Sequence, residues 1–405
     1  MRAGEHKQSM TEHPILGQVV LGYSPMVDRN RAVIATRLTV FPARPDLVLS
    51  TPSLLQALTE VWSGGQVSLN IVSESALDEL LGAQPSPNLW IEVPAFMAGD
   101  PKHTDALRRL HAQGSTLLIK GRPLQELPRE VLPCFKYSII DLSEERRGDA
   151  PPAPGVSRTI SHVQSGVRTL VEMEQAFQRG AVAVLGWPVD DAIESSTQRN
   201  ASRPDMQTIV ELIRRVDKQE PGDRLEATLK QDPTLAFKLM RYINSPAFGL
   251  RVEISSFRHA LMMLGYQRLK RWLALLLASA SKDSNMKPVM FAAVRRGLLM
   301  EELARSTSAD EEMRNEMFIC GVFSLLDKMM QQPFAELLKT IPMPERVYQA
   351  LVDNAGPFQP YFDVVSAVEQ ESLFDIRAAA DALMMSVAEI NRAELRALAN
   401  AAQLD

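Results

Sequence analysis

The chain has 405 residues, of which 45% are hydrophobic, 23% charged and 6% aromatic, with a net charge of −5. That length exceeds one ordinary hydrophobic core, so two domains are expected. The mildly acidic balance argues against a nucleic-acid partner, which would need clustered Lys and Arg. Cys134 and Cys320 are far apart and form no CxxC pair, as suits buried thiols in a reducing cytoplasm rather than a disulfide or zinc site. The opening stretch MRAGEHKQSMTEHP lacks the apolar run of a signal peptide. The longest apolar run, WLALLLASA from Trp272, falls far short of the ~20 residues that cross a bilayer. A cytoplasmic protein with no membrane partner is expected.

In chain order, residues 1–14 form a polar tail, and a βα alternation follows. Residues 17–23, 33–41, 67–72, 89–93, 116–119, 137–141 and 181–185 are short runs rich in Val, Ile and Leu, as buried parallel strands are. Between them, residues 52–62, 74–81, 105–114 and 168–180 carry helical periodicity. The alternation predicts a parallel sheet with helices outside, open or closed into a barrel. A barrel usually takes about 200–250 residues, so a closed one of this length must lack some helices.

From Pro188 to Asp205 the text turns polar, and the linker is placed at 191–205 between an α/β domain at 15–190 and an all-α domain at 206–405. Beyond it the pattern is helical. Ile209, Leu212, Ile213 and Val216 share one helix face. Asp232 before Pro233, and Ser255 or Ser256 before FRHALMML, are natural N-caps, and Gly265 ends that helix. The basic run RLKR (268–271) reads as the solvated face of a helix. The Ala-, Leu- and Met-rich stretch from Arg377 to Asp405 suits core packing.

KLMRYINSPAFGLRVEISSFRHALMMLGYQRLKRW (238–272) resembles the core motif of the HDOD domain, and CGVFSLLDKMMQQPFAELLKTIPMPERVYQALV (320–352) resembles the segment of HDOD proteins that carry an N-terminal EAL-like domain. The resemblance covers nearly the whole chain. It implies a reduced TIM-barrel-like EAL domain followed by a helical domain related to the HD phosphohydrolases.

HD enzymes bind a divalent metal through adjacent His and Asp. No His-Asp pair occurs here, and Gly321-Val322-Phe323-Ser324-Leu325 stands where the family has Gly-Leu-Leu-His-Asp. His259, the one histidine after residue 162, reads as a satisfied helix residue. The motif residues Asn244, Ser245, Phe248, Gly249, Ser255 and His259 form a candidate interaction loop, although fold maintenance explains each of them singly.

EAL domains resemble TIM barrels that hydrolyse cyclic di-GMP with two metal ions. On that resemblance Arg37 replaces a metal-binding Glu, and Asn70 and Glu92 match the next two ligands. Lys120-Gly121 replaces an Asp-Asp pair, Ile139 the catalytic Lys and Gln164 a late Glu, while Asp141 survives and the terminal Gln-Gly leaves only Gly186. Two closely spaced metals need several anionic ligands, and a cation at Arg37 or Lys120 repels them.

The expectation is therefore neither enzyme nor metal protein and no cofactor, but a bacterial signalling module linked to cyclic di-GMP that works through contacts with other signalling proteins. A homo-oligomer is compatible with it. The alternative is a receptor that binds cyclic di-GMP without cleaving it, with Arg37 and Lys120 taking over phosphate charge. Residual phosphodiesterase activity ranks third.

Overall fold

The βα text closes into a barrel. The computed structural model describes residues 13–61, 65–144, 160–191, 204–229, 257–278, 284–330, 332–337 and 343–401. Eight strands follow one another around the barrel: β1 (Val19–Asp28), β2 (Val33–Pro42), β3 (Val67–Ile71), β4 (Leu89–Pro94), β5 (Thr116–Lys120), β6 (Phe135–Asp141), β7 (Ser161–Val167) and β8 (Ala183–Gly186). β1 runs antiparallel to both β2 and β8, and the other pairings are parallel.

Outside lie α1 (Thr51–Val61), α2 (Glu74–Gly82), α3 (Ala95–Ala98), α4 (Thr104–Ala112) and α5 (Leu170–Gln178). Seven strands stand where the apolar runs predict them, and β7 is an eighth that they do not predict. The expected loss of helices is found between β5 and β6, where a single 3-10 turn, Leu132–Cys134, stands in for one. Thr169 and Glu172 cap the start of α5 reciprocally.

Strand alternation divides the interior into two layers. Met26, Ala35, Trp90, Leu118, Ile139, Val163, Ala183 and Leu185 fill the lower part as one apolar cluster. Arg37, Thr39, Asn70, Glu92, Lys120 and Asp141 have the same inward parity nearer the strand ends, so the polar groups form a layer above the apolar plug.

The second half is helical, and among the described residues no strand follows Gly186. Its helices are α6 (Pro204–Asp217), α7 (Gly222–Leu229), α8 (Phe257–Ala278), α9 (Lys287–Ser306), α10 (Glu311–Phe323), α11 (Leu326–Met330), α12 (Phe334–Leu337), α13 (Glu345–Leu351), α14 (Gln359–Glu369), α15 (Leu373–Ala382) and α16 (Val387–Ala401). The expected face of Ile209, Leu212, Ile213 and Val216 is buried. The expected break at Gly265 is present as a non-helical residue (φ 72°, ψ 171°) within α8. Gly321 lets α10 lie against α9, since a Cβ there would fall 2.5 Å from the backbone of Arg296 and Gly297. Both cysteines are buried and unpaired with each other. Among the described residues, no helix is long and apolar enough to cross a membrane. The expected caps at Asp232 and Ser255 or Ser256, and residues 192–203 of the linker, lie outside the described residues.

The helical half completes the barrel. β1 meets β8 at only Met26, Val27 and Asp28, which leaves the upper length of β1 without a strand partner on that side. Asn391 of α16, 0% exposed, takes over: its Oδ1 accepts from Leu21 N–H at 3.1 Å, and its Nδ2 donates to the carbonyls of Leu16 (2.7 Å) and Val19 (2.8 Å). The Trp187 indole donates to the Tyr23 carbonyl at 3.2 Å and stacks on Phe291 of α9. These contacts satisfy backbone groups that a gap in the ladder would otherwise strand in an apolar setting.

Glu394, on the same helix, is fully buried, and among the described residues neither of its oxygens has a hydrogen-bond partner. Burial, helped by the charge of Glu371, pushes its pKa up to about 8. The folded chain thus holds a proton that the unfolded chain has already lost, so this group's contribution to stability falls as pH rises from its ordinary carboxylate pKa towards 8 and then levels off.

Two outcomes follow from this interface. Asn391→Ala strands three buried backbone groups, and urea unfolding is expected to show a loss of about 2–4 kcal/mol. For Glu394→Gln, urea midpoints taken between pH 5 and 9 should stay flatter than those of the wild type, with the variant gaining on the order of 1–3 kcal/mol by neutral pH.

Candidate functional site

The upper layer of the barrel is a closed network of charges. The Arg37 guanidinium grips Glu92 with Nε at 3.0 and 3.2 Å from the two carboxylate oxygens and Nη2 at 2.8 Å. Ser68 donates to the same carboxylate at 2.9 Å, and Glu92 is 0% exposed. A second carboxylate arrives from the helical half. Glu371, just past α14, accepts from Arg37 Nη1 at 3.4 Å, from the Thr39 hydroxyl at 3.0 Å and from the Ser24 hydroxyl at 3.2 Å.

Lys120 closes the other side. Its Nζ lies 2.5 Å from Asn70 Oδ1, and Asn70 Nδ2 donates to Thr39 Oγ1 at 3.1 Å, so a relay runs from Lys120 through Asn70 and Thr39 to Glu371. Burial disfavours the Arg37 cation, but the charges of Glu92 and Glu371 outweigh it and raise its pKa above the ordinary arginine value. Burial dominates at Lys120, whose pKa is lowered despite the pull of Glu92.

The structure therefore brings Arg37, Asn70, Glu92 and Lys120 together, as the strand alignment implies. Asp141 is on the same inner face but bonds Ser143 and Ser165 (3.2 Å). Ile139 belongs to the apolar plug. Gly121 turns the chain after β5 with φ 83°, and its N–H donates to the Ile139 carbonyl.

Gln164 is placed differently from its expected role. Its neighbour Val163 points into the plug, so Gln164 has the opposite parity, and it bonds the Ile140 carbonyl (2.8 Å) and His162 (3.2 Å) instead. Ser165 is the β7 residue that reaches Asp141. Gly186 is structurally demanded, since a Cβ would fall 2.1 Å from the Val167 carbonyl oxygen. Thr39 and Ser68 were recoverable from sequence, because they share the parity of Arg37 and Asn70. Glu371 carries no local signal.

A divalent metal pair does not fit this layer. Both Glu92 oxygens hold Arg37, Asn70 Oδ1 holds Lys120, and among the described residues no group of three His, Cys, Asp or Glu converges on a point.

The helical half repeats the arrangement. Ser324, one of the positions where HD relatives carry a metal ligand, caps α10, accepts from Arg296 Nη1 at 3.1 Å and donates to the Gly321 carbonyl. Arg296 in turn makes a two-point contact with Glu369 at 2.9 and 2.7 Å, and both side chains are largely buried. Asn244, Ser245, Phe248, Gly249 and Ser255 lie outside the described residues, and His259 is half-buried near the start of α8. The RLKR run is not the solvated face expected of it: Lys270 is buried against Asp217, Arg271 binds Glu301, and only Arg268, paired with Glu311, is exposed.

The sequence profile of the HDOD domain matches residues 204–340. This part of the chain is an HDOD domain. Helices α14–α16, which pack on β1, follow the matched stretch. The chain is also similar to the protein named cyclic di-GMP phosphodiesterase CdgJ of Vibrio cholerae, at 29% identity over 50% of this chain and 47% of that one. It is similar to YuxH of Bacillus subtilis, at 26% identity over 53% of each. The match thus spans about half the length of these curated relatives. Among solved structures, a standalone EAL protein from Vibrio cholerae O395 with cyclic di-GMP bound covers 42% of this chain and 90% of its own, at 15% identity and a TM-score of 0.29. The barrel ahead of the HDOD domain is assigned from its own strand order, with β1 antiparallel and the rest parallel.

Removing Arg37 leaves the buried Glu92 carboxylate with the Ser68 hydrogen bond and only the partly buried charge of Lys120 to offset it. Arg37→Ala is expected to cost about 3–5 kcal/mol in urea unfolding, and Glu92→Leu in the Arg37→Met background is expected to recover most of it.

Proposed function

We propose that the chain is a non-catalytic regulatory protein of cyclic di-GMP-linked signalling in the bacterial cytoplasm, acting through contacts with other signalling proteins. The observation that carries this reading is the two-point contact of Arg37 with Glu92. A phosphodiesterase of this barrel type needs carboxylates free to bind metal and activate water, whereas here the buried Glu92 of the barrel is neutralised by a tethered cation. Arg296 makes a matching contact with Glu369 in the helical half, and its Nη1 also donates to Ser324. The link to cyclic di-GMP comes from the name of the similar protein CdgJ.

A second reading, a receptor that binds the dinucleotide without cleaving it, is favoured by one feature. Lys120 lines a cavity of about 440 Å³ at the ends of β4 and β5, together with Phe96, Arg122 and Leu124. It ranks below the first because Arg37 and Lys120 already have partners inside the chain.

Incubation of the full chain with cyclic di-GMP and magnesium or manganese, followed by chromatography, is expected to release no linear dinucleotide above the blank. Release that a chelator abolishes would show the metal site to be competent and end the non-catalytic reading. Affinity trapping with the full chain should return a specific signalling partner, and repeated failure to do so removes the contact part of the proposal.

A further inference from the structure

The mouth of the barrel is closed by a side chain that the barrel does not supply. Glu371 comes from the turn between α14 and α15, and its carboxylate collects three donors from β1 and β2: Ser24, Thr39 and Arg37. The close approach depends on Gly22, where a Cβ would sit 3.0 Å from the Glu371 Cα and 3.3 Å from its Cβ. The left-handed backbone of Glu371 (φ 51°) is shared by Gln219, Ser308 and Met384 after other helices, so what distinguishes this turn is its receptor.

Charge explains the fit. Arg37 and Lys120 against Glu92 leave one positive charge in the hydrogen-bonded barrel residues, and Glu371 cancels it; Asp141, bonded to Ser143 and Ser165, acts on Arg37 through its charge alone. Lys120, which the Asn70–Thr39 relay links to Glu371, also lines the cavity at the ends of β4 and β5. Two residues before Glu371, Glu369 holds Arg296 of the helical half. One short turn therefore bonds the charged centres of both halves.

We propose that Glu371 is a built-in anion occupying a phosphate-binding site, and that a phosphate group entering the barrel mouth displaces it and unseats the Glu369–Ser372 turn from β1. Phosphate oxygens accept from the same hydroxyl and guanidinium donors that the carboxylate uses. Because Glu371 is tethered, it competes at high effective concentration, and an incoming anion binds with its intrinsic affinity reduced by the fraction of chains in which the turn has lifted. The displaced turn carries Glu369 with it, so occupancy of the barrel reaches Arg296. This inference rests on the non-catalytic reading, since a ligand that is cleaved cannot hold the turn open.

The test uses the full-length protein without divalent metal. Cyclic di-GMP and, separately, inorganic phosphate are titrated calorimetrically into the wild type and Glu371→Ala at matched ionic strength, and amide exchange is followed at residues 369–373. Alanine meets the same backbone demand as glutamate at this position, so the variant removes the carboxylate alone. Gly22→Ala is the second variant; it drives a methyl group into the Glu371 backbone with every charge in place. Both variants are expected to bind at least one probe about tenfold more tightly than the wild type, the factor by which a site open in about a tenth of chains is improved when its competitor is removed.

Saturating ligand should also speed amide exchange at the turn in the wild type. A gain for cyclic di-GMP alone identifies a nucleotide ligand, and a gain for phosphate alone identifies a free anion; either supports the proposal. Equal affinities in wild type and variants, or no binding of either probe, overturns it. Hydrolysis of cyclic di-GMP once metal is added bears instead on the non-catalytic reading, and the metal-free comparison still decides the role of Glu371.

Discussion

A carboxylate with no exposure inside a β-barrel has to be neutralised, and the way this is done at Glu92 sets the character of the whole upper layer. Taking the charge out of water costs several kcal/mol, which only a close cation and good hydrogen bonds offset. A metal ion could do this only by drawing in further anionic ligands. Arg37 does it with one delocalised charge and a planar fork that matches both oxygens, while Ser68 takes the remaining direction. Once Arg37 lies there, its outer nitrogen faces the mouth and requires an acceptor, and Glu371 meets that requirement from the other half of the molecule.

The same constraint explains why the two halves dock as they do. β1 has a long unpaired edge because β8 is short, and α16 brings Asn391 to satisfy it. Fixing α16 on β1 places α14 and α15 beside Gly22, where the absence of a side chain admits the Glu371 backbone. Packing thus supplies the position and electrostatics supplies the specificity. Tyr23 meets Trp187 edge to face and Trp187 stacks on Phe291, which continues the contact from the barrel into α9.

Much of this was legible in the sequence, and the misses have physical reasons. Strands whose buried face is a run of Val, Ile and Leu announce themselves, as residues 89–93 and 116–119 do. β7 reads Ser-His-Val-Gln-Ser-Gly-Val and does not, because His162 and Gln164 occupy its outer face, Ser165 reaches into the polar layer and Gly166 must make room for Asp141. Gln164 was assigned by family alignment at a point where a shift of one residue exchanges the inner and outer faces, and the structure gives the inner position to Ser165. Arg37, Asn70, Glu92 and Lys120 were found because strand parity and the family pattern agree on them. Asn391 and Glu371 were not, since each acts on a partner more than 300 residues away in sequence and neither belongs to a local motif.

Arg37–Glu92 and Arg296–Glu369 are two buried pairs, one in each half, and a single turn carries Glu369 to one and Glu371 to the other. Buried ion pairs are poor sources of stability compared with well-packed apolar side chains of the same volume, so their presence here is not explained by the need to fold. What charge provides and apolar packing cannot is a contact that responds to another charge. An apolar turn seated on β1 would be indifferent to an anion in the barrel mouth. A glutamate seated on Arg37 competes with it directly, and because Glu369 lies two residues away, the outcome of that competition is registered in the helical half as well.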